Sequence, residues 1–183
     1  MEIKIDLRFV DEMIEVRQLQ HGGAPGAPQK IGGLRIGQAL NRSCVVMMSA
    51  MLQAYVEEVF LKSSNVRSRC NKDTTSVTSR PKIDHWGNPN VANVNRLFKE
   101  LCGRNVLTGL SWPKCENETV SIKLNEINQI RNQIAHGKRS ITIDKVQISL
   151  TLKRVEGLRN FCEAFAGKFE NHVLLLLQER SKL

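Results

Sequence analysis

Apolar residues recur at steps of three and four along most of the 183-residue chain. They predict an all-α fold, a bundle of four to five helices with a basic loop after the first long helix. Two further observations agree. No convincing strand pattern survives outside one short stretch. A hydrophobic share of 41% with 25% charged residues is enough to bury a core and excludes a disordered or low-complexity chain. No repeat at solenoid spacing occurs. The length fits one domain, with residues 1–35 as an N-terminal helix and Gly/Pro-rich loop and residues 36–183 as the main helical domain.

Each element has its own signal. Leu7, Val10, Met13, Ile14 and Arg17 share helical spacing over residues 7–20. Gly22, Gly23, Pro25, Gly26, Pro28, Gly32 and Gly33 then make a loop, without the Lys-Ser/Thr ending of a phosphate cradle. Residues 36 to about 62 form the first long helix, carrying Leu40, Cys44, Met47, Met48, Met51, Tyr55 and Val59 on one stripe. Its methionines suit an adaptable interface with a second subunit. Residues 62–90 break the pattern. Lys62, Arg67, Arg69, Lys72, Arg80 and Lys82 against Asp73 give +5, either a basic arm for phosphates or a loop kept soluble by charge. A helix over 90–102 follows, with Val91, Val94, Leu97, Phe98 and Leu101 on one side and Gly103 at its close.

Residues 117–136 read as the next helix, with Leu124, Ile127, Ile130 and Ile134 inward. Gly137 stands where a left-handed terminating residue belongs, and Lys138 and Arg139 face the negative end of the helix dipole. The last helix is expected from about Asp144, with Gln147 completing a capping box, over about 35 residues or roughly 50 Å. Alternation of Ile141, Ile143, Leu150 and Leu152 leaves a short strand there as the alternative.

Twenty-seven Lys and Arg against eighteen Asp and Glu give a net charge of +9, which fits a polyanion such as nucleic acid and equally a solvated basic surface. Five cysteines, an odd number with no CxxC pair, argue against a disulfide framework and a cysteine-built zinc site; Cys44 and Cys162 read as small core residues. The start, Met1 to Asp6, has no apolar signal core, and the longest aliphatic run, Val173 to Leu177, is too short for a bilayer. A cytoplasmic location with no membrane partner is the expectation.

Only His21, His85, His136 and His172 are available for acid–base work. No H-E-x-x-H and no G-x-S-x-G occurs, so neither a metal hydrolase nor a serine hydrolase is indicated, and no metal or other cofactor is expected. Arg131-Asn132-Gln133-Ile134-Ala135-His136-Gly137 is the informative stretch. It sets a guanidinium, with donors suited to phosphate oxygens, near a titratable imidazole at a helix end, where a cation meets the negative end of the dipole. Arg followed by His five positions on is expected by chance about 0.3 times in a chain with 14 Arg and 4 His. A second instance, Arg80 and His85, lies around Pro81 on no regular element and reads as a decoy. Read by itself, the pattern favours the plainer account, in which His136 caps its helix and Arg131 makes a buried salt bridge with Glu126 or Glu100.

At this helix end the chain resembles the RiboL-PSP-HEPN families of the HEPN superfamily, whose signature is Arg, usually then Asn, with His four to six residues on. Asn41-Arg42 opening an apolar helix to Glu57-Glu58, the Gly87-Asn88-Pro89 turn before a short helix and the long final helix share that character, over about residues 36–180. The resemblance implies a HEPN-like bundle and metal-independent ribonuclease activity of a toxin or defence type. His136 would be general acid or base, Arg131 would bind the scissile phosphate, and Asn132 would orient the pair. Lys138, Arg139, Arg67, Arg69 and Lys72 would hold RNA. It further implies a homodimer with both motifs lining one cleft, and a cognate antitoxin as partner. One departure stands out. Gln53 occupies the place where relatives often carry a mid-helix glutamate, with Glu57 one turn later as a substitute. A non-catalytic RNA-binding or protein-interaction module is the alternative.

Overall fold

A computed structural model describes residues 2–20, 30–31, 34–35, 37–70 and 83–181. Five helices carry the architecture among them: α1 (Arg8–Gln20), α2 (Gln38–Cys70), α3 (Val91–Cys102), α4 (Asn117–Ala135) and α5 (Leu152–Arg180). Two antiparallel ribbons complete it, β1 (Lys30–Ile31) with β2 (Leu34–Arg35) and β3 (Ile141–Ile143) with β4 (Val146–Ile148). The bundle is all-α in character, as its periodicity predicts.

The 33-residue α2 is the axis, and α1, α3, α4 and α5 all pack on it. Cys44, Val45, Met48, Leu52, Val56 and Phe60 are buried along it. Length and apolar content alone would let Gln38–Arg67 cross a bilayer, but half of that apolar window is buried in the bundle. Phe60 meets Phe98 edge-on at 5.3 Å, Phe98 meets Phe169 at 5.4 Å, and Phe169 stacks on Phe165 at 4.8 Å, tying α2 to α5 through α3. Burial pushes the Cys44 and Cys102 thiols up to about 11 and that of Cys162 up to about 12, so these cysteines serve as core residues. Leu7, Val10 and Ile14 join the same core, and Arg159 grips Asp11 with two hydrogen bonds of 2.7 and 2.9 Å to fasten α1 onto α5.

Two helix boundaries differ from the sequence expectation, and a hairpin stands where one helix is expected to begin. The first long helix continues to Cys70, eight residues past 62, because Ser63 and Ser64 lie on its buried face where an apolar pattern cannot show them. Lys62 and Arg67 are therefore helical, and residues 71–82, the rest of the basic loop, lie outside the described residues with Lys72. The last helix starts at Leu152, with Thr151 Oγ1 accepting from the Arg154 N–H at 3.2 Å as its cap. Asp144 instead turns the β3–β4 hairpin. Asp144 and Lys145 hold left-handed φ values of +48° and +66°, the geometry of a tight two-residue turn, so the strand alternative prevails there over the capping box.

Candidate functional site

The site grows from the way α4 ends. His136 is the cap residue, and its N–H donates to Asn132 O at 3.0 Å, so helical geometry persists through it. Gly137 follows at φ +68°. Its N–H donates to Ile134 O at 3.0 Å, and the Lys138 N–H donates to Gln133 O at 2.9 Å. This paired closure is the Schellman pattern, and it needs a residue able to sit in the left-handed region. The helix thus ends after His136, not between Arg131 and His136. Five residues at 100° each leave those two side chains about 140° apart around α4.

Three neighbours hold this end in place. Arg42 on α2 donates to the carbonyl of Lys138 at 2.7 Å and to that of Arg139, drawing the chain after α4 onto the N-terminal end of α2. Gln133 clasps the hairpin, its Nε2 donating to Thr142 O at 2.7 Å and its Oε1 accepting from the Thr142 N–H at 2.9 Å. Asn132 Oδ1 accepts from Arg131 Nη1 and from Asn88 Nδ2, both at 3.2 Å. No sequence signal marks Arg42 or Asn88 for these tasks, since each acts through contacts distant along the chain.

Arg131 is half-buried and forms no ion pair among the described residues; its one hydrogen bond is to a neutral amide. Glu126, one of the two partners that sequence offered, is 5% exposed and takes Lys123 at 2.8 Å and Arg154 at 2.6 Å. The salt-bridge reading of Arg131 with Glu126 is therefore overturned. His136 is exposed, and its ring makes no hydrogen bond among the described residues. A guanidinium without a carboxylate and a free imidazole on one helix end are groups open to an incoming anion.

The same turn reaches the middle of α2. Trp86 Nε1 donates to Glu57 Oε1 at 2.8 Å, and Gln53 Nε2 donates to the same oxygen at 3.0 Å. Residues 86–88 thus bridge two elements, Trp86 holding Glu57 of α2 and Asn88 holding Asn132 of α4, and Gln53 serves to fix that carboxylate.

The other candidates divide. Lys138 and Arg139 are exposed beside His136. Arg67 is elsewhere: its Nη1 donates to the carbonyls of Glu100 and Leu101, where Arg180 also binds, so it caps the C-terminal end of α3. Twenty-five residues of α2 separate it from Arg42, roughly 38 Å along the axis. The side chain of Arg69 lies outside the described residues. His85 is exposed in the turn before α3, while Arg80 and His21 lie outside the described residues. Burial lowers the pKa of His172, whose Nε2 sits 2.9 Å from Val106 O, and this histidine belongs to the packing. No cluster of three metal-ligating side chains occurs among the described residues.

No curated protein and no solved structure matches the chain. The RiboL-PSP-HEPN family model matches residues 11–174, from within α1 to near the end of α5, and so takes in all of α2, α3 and α4 together with the hairpin. With the Arg131-Asn132…His136 run closing α4 inside that match, the chain belongs to the RiboL-PSP-HEPN family.

Proposed function

We propose that this HEPN protein is an endoribonuclease that needs no metal ion, acts as a toxin or in defence against invading genetic elements, and works as a homodimer. The observation that carries the reading is the pair at the end of α4: Arg131 without a carboxylate partner and His136 free, on a helix end fixed by Arg42, Asn88 and Gln133. In the proposed reaction the ribose 2′-oxygen attacks the adjacent phosphorus while the bond from phosphorus to the 5′-oxygen breaks. The products are a 2′,3′-cyclic phosphate and a 5′-hydroxyl. His136 takes the proton of the 2′-hydroxyl or gives one to the departing 5′-oxygen, and water makes the other of these two transfers. Arg131 offsets the charge that builds on the non-bridging oxygens. Asn132, bonded to Arg131, sets its direction.

The 140° between the two side chains, with no helix break between them, favours a site shared by two subunits. Arg131→Ala and His136→Ala are each expected to abolish cleavage of RNA in the presence of a chelator while the dimer persists. If Arg131 of one subunit works with His136 of the other, mixing the two variants restores cleavage in the heterodimer. Wild-type rates from either single variant would refute the reading. A small antitoxin gene beside this one would support the toxin assignment.

Gln53 favours a second reading, in which the fold binds RNA or a protein partner without chemistry. That reading predicts salt-sensitive RNA binding with no product. Chelator-resistant cleavage that depends on His136 refutes it.

A further inference from the structure

We infer that Arg17 and the opening turn of α2 form a phosphate-binding site beside the candidate cleft; it rests on the proposed function only where RNA is taken as the source of the phosphate. Arg17, in the last turn of α1, is 5% exposed. Its Nε is buried without a hydrogen bond, and the side chain has no ion pair among the described residues. A lone buried cation is costly unless an anion accompanies it. The chain supplies none locally. From residue 16 to residue 56 it carries Arg17, Lys30, Arg35 and Arg42 and not one Asp or Glu. Of the acids on α1, Asp11 is paired with Arg159, and Glu12 and Glu15 are exposed, away from the buried side that holds Arg17; Glu156 of α5 takes Gln18.

The guanidinium lies on the start of α2. A Cβ on Gly37 would meet Arg17 Nε at 2.1 Å and Cζ at 2.6 Å, so only glycine leaves room for it. The Gly37 carbonyl accepts the first helical bond, from the Asn41 N–H at 3.1 Å. The N–H groups of Gln38, Ala39 and Leu40 therefore precede the ladder and are orphan donors at the positive end of a 33-residue helix with no acid in its first turn. A buried guanidinium over such a helix start calls for a compact, doubly accepting anion, and phosphate matches its fork. Gly37 is five residues, about 7.5 Å of helix, from Arg42, which anchors Lys138 and Arg139. The phosphate comes either from an RNA strand crossing the cleft or from a free phosphate-bearing molecule.

Two measurements on the full chain test this. The first is the melting temperature of wild type, Arg17→Met and Arg17→Lys in chloride and in inorganic phosphate at matched ionic strength. The second is binding of a 2′-O-methyl RNA oligonucleotide, which cannot be cleaved, in a His136→Ala background. Phosphate is expected to raise the melting temperature of wild type, to do so less for Arg17→Lys, and to leave Arg17→Met unmoved. In chloride, Arg17→Met is expected to melt no lower than wild type, since it removes a lone buried charge. RNA affinity is expected to fall about tenfold in Arg17→Met, the loss of one charge-assisted contact. A lost phosphate response with unchanged RNA affinity assigns the site to a free phosphate-bearing molecule. No phosphate response in wild type, or the same response in Arg17→Met, overturns the site. Neither readout requires cleavage, so an inactive enzyme does not blur the result.

Discussion

Replacing Gly137 by alanine isolates the turn that ends α4. A Cβ there would meet nothing within 4 Å, so the cost is confined to the backbone. Holding alanine at φ +68° costs on the order of 1 kcal/mol net, after allowing for the smaller entropy of its unfolded chain. For a domain of this size that lowers the melting temperature by about 2–4 °C. The closure through the Gly137 and Lys138 N–H groups also sets His136 and the carbonyls beneath Arg42. RNA cleavage should therefore fall by about fivefold, the same free energy read as a rate. Asparagine tolerates the left-handed region, so Gly137→Asn should recover most of both losses. Gly37 provides the contrast. Its φ is +76°, but a Cβ would meet Arg17 at 2.1 Å, so Gly37→Ala should destabilise by about 2–3 kcal/mol, backbone strain plus overpacking. Thermal melting and a cleavage assay on the three variants decide the matter. If Gly137→Ala and Gly137→Asn prove equal in both, the turn does not govern the site.

Acid should lower the stability of the chain in two stages. Burial lowers the pKa of His172, so the unfolded chain takes up this proton first, and stability declines as pH falls from about 6.5 toward the lower folded value; His172→Gln should flatten that stage. Burial pushes the Glu170 carboxyl up, but hydrogen bonds from Lys62 and the Ile3 N–H outweigh it, and the folded value lies below the ordinary one. Its contribution is therefore complete above the unfolded carboxyl value and lost as pH falls through the folded one, which melts of Glu170→Gln between neutral and acid pH should show. Lys138→Gln and Arg139→Gln should weaken RNA binding whatever the sequence and reduce the salt slope by about one each, measured by titration at several salt concentrations. Arg67→Gln should leave RNA affinity near wild type and cost about 1 kcal/mol of stability, because its hydrogen bonds cap α3; a matching loss of affinity would contradict that division.

Long apolar stripes and one glycine made most of this architecture legible. Leu124, Ile127 and Ile130 placed α4, and Gly137 marked its end because few residues other than glycine fit that backbone. The hairpin was harder to see, since Asp144-Lys145 lacks the glycine that flags most tight turns of this kind. The final turns of α2 were hidden because Ser63 and Ser64 are buried polar residues on a face that a hydrophobic pattern reads as empty. For the site, Arg131, Asn132 and His136 were visible as a local motif. Arg42, Asn88 and Trp86 were not, because their contacts span 96, 44 and 29 residues of chain and depend on the finished bundle.

The two ends of α2 also change the meaning of the net charge. A surplus of +9 invites the picture of a single basic track, but in one chain the described cations near α2 divide. Arg17, Arg42, Lys138 and Arg139 gather at its start, Lys62 pairs with Glu170 along it, and Arg67 and Arg180 sit at its far end, bound to carbonyls. Four cations on one helix end make a small field for an RNA strand. A two-fold pairing that set these ends face to face would place eight around a single cleft, together with both imidazoles. Helical geometry thus favours the shared cleft, and the charge gathered there suits RNA, whose phosphates would offset the repulsion between the two like-charged ends. A monomer in solution that still cleaves RNA through His136 would separate the two arguments and refute the shared cleft.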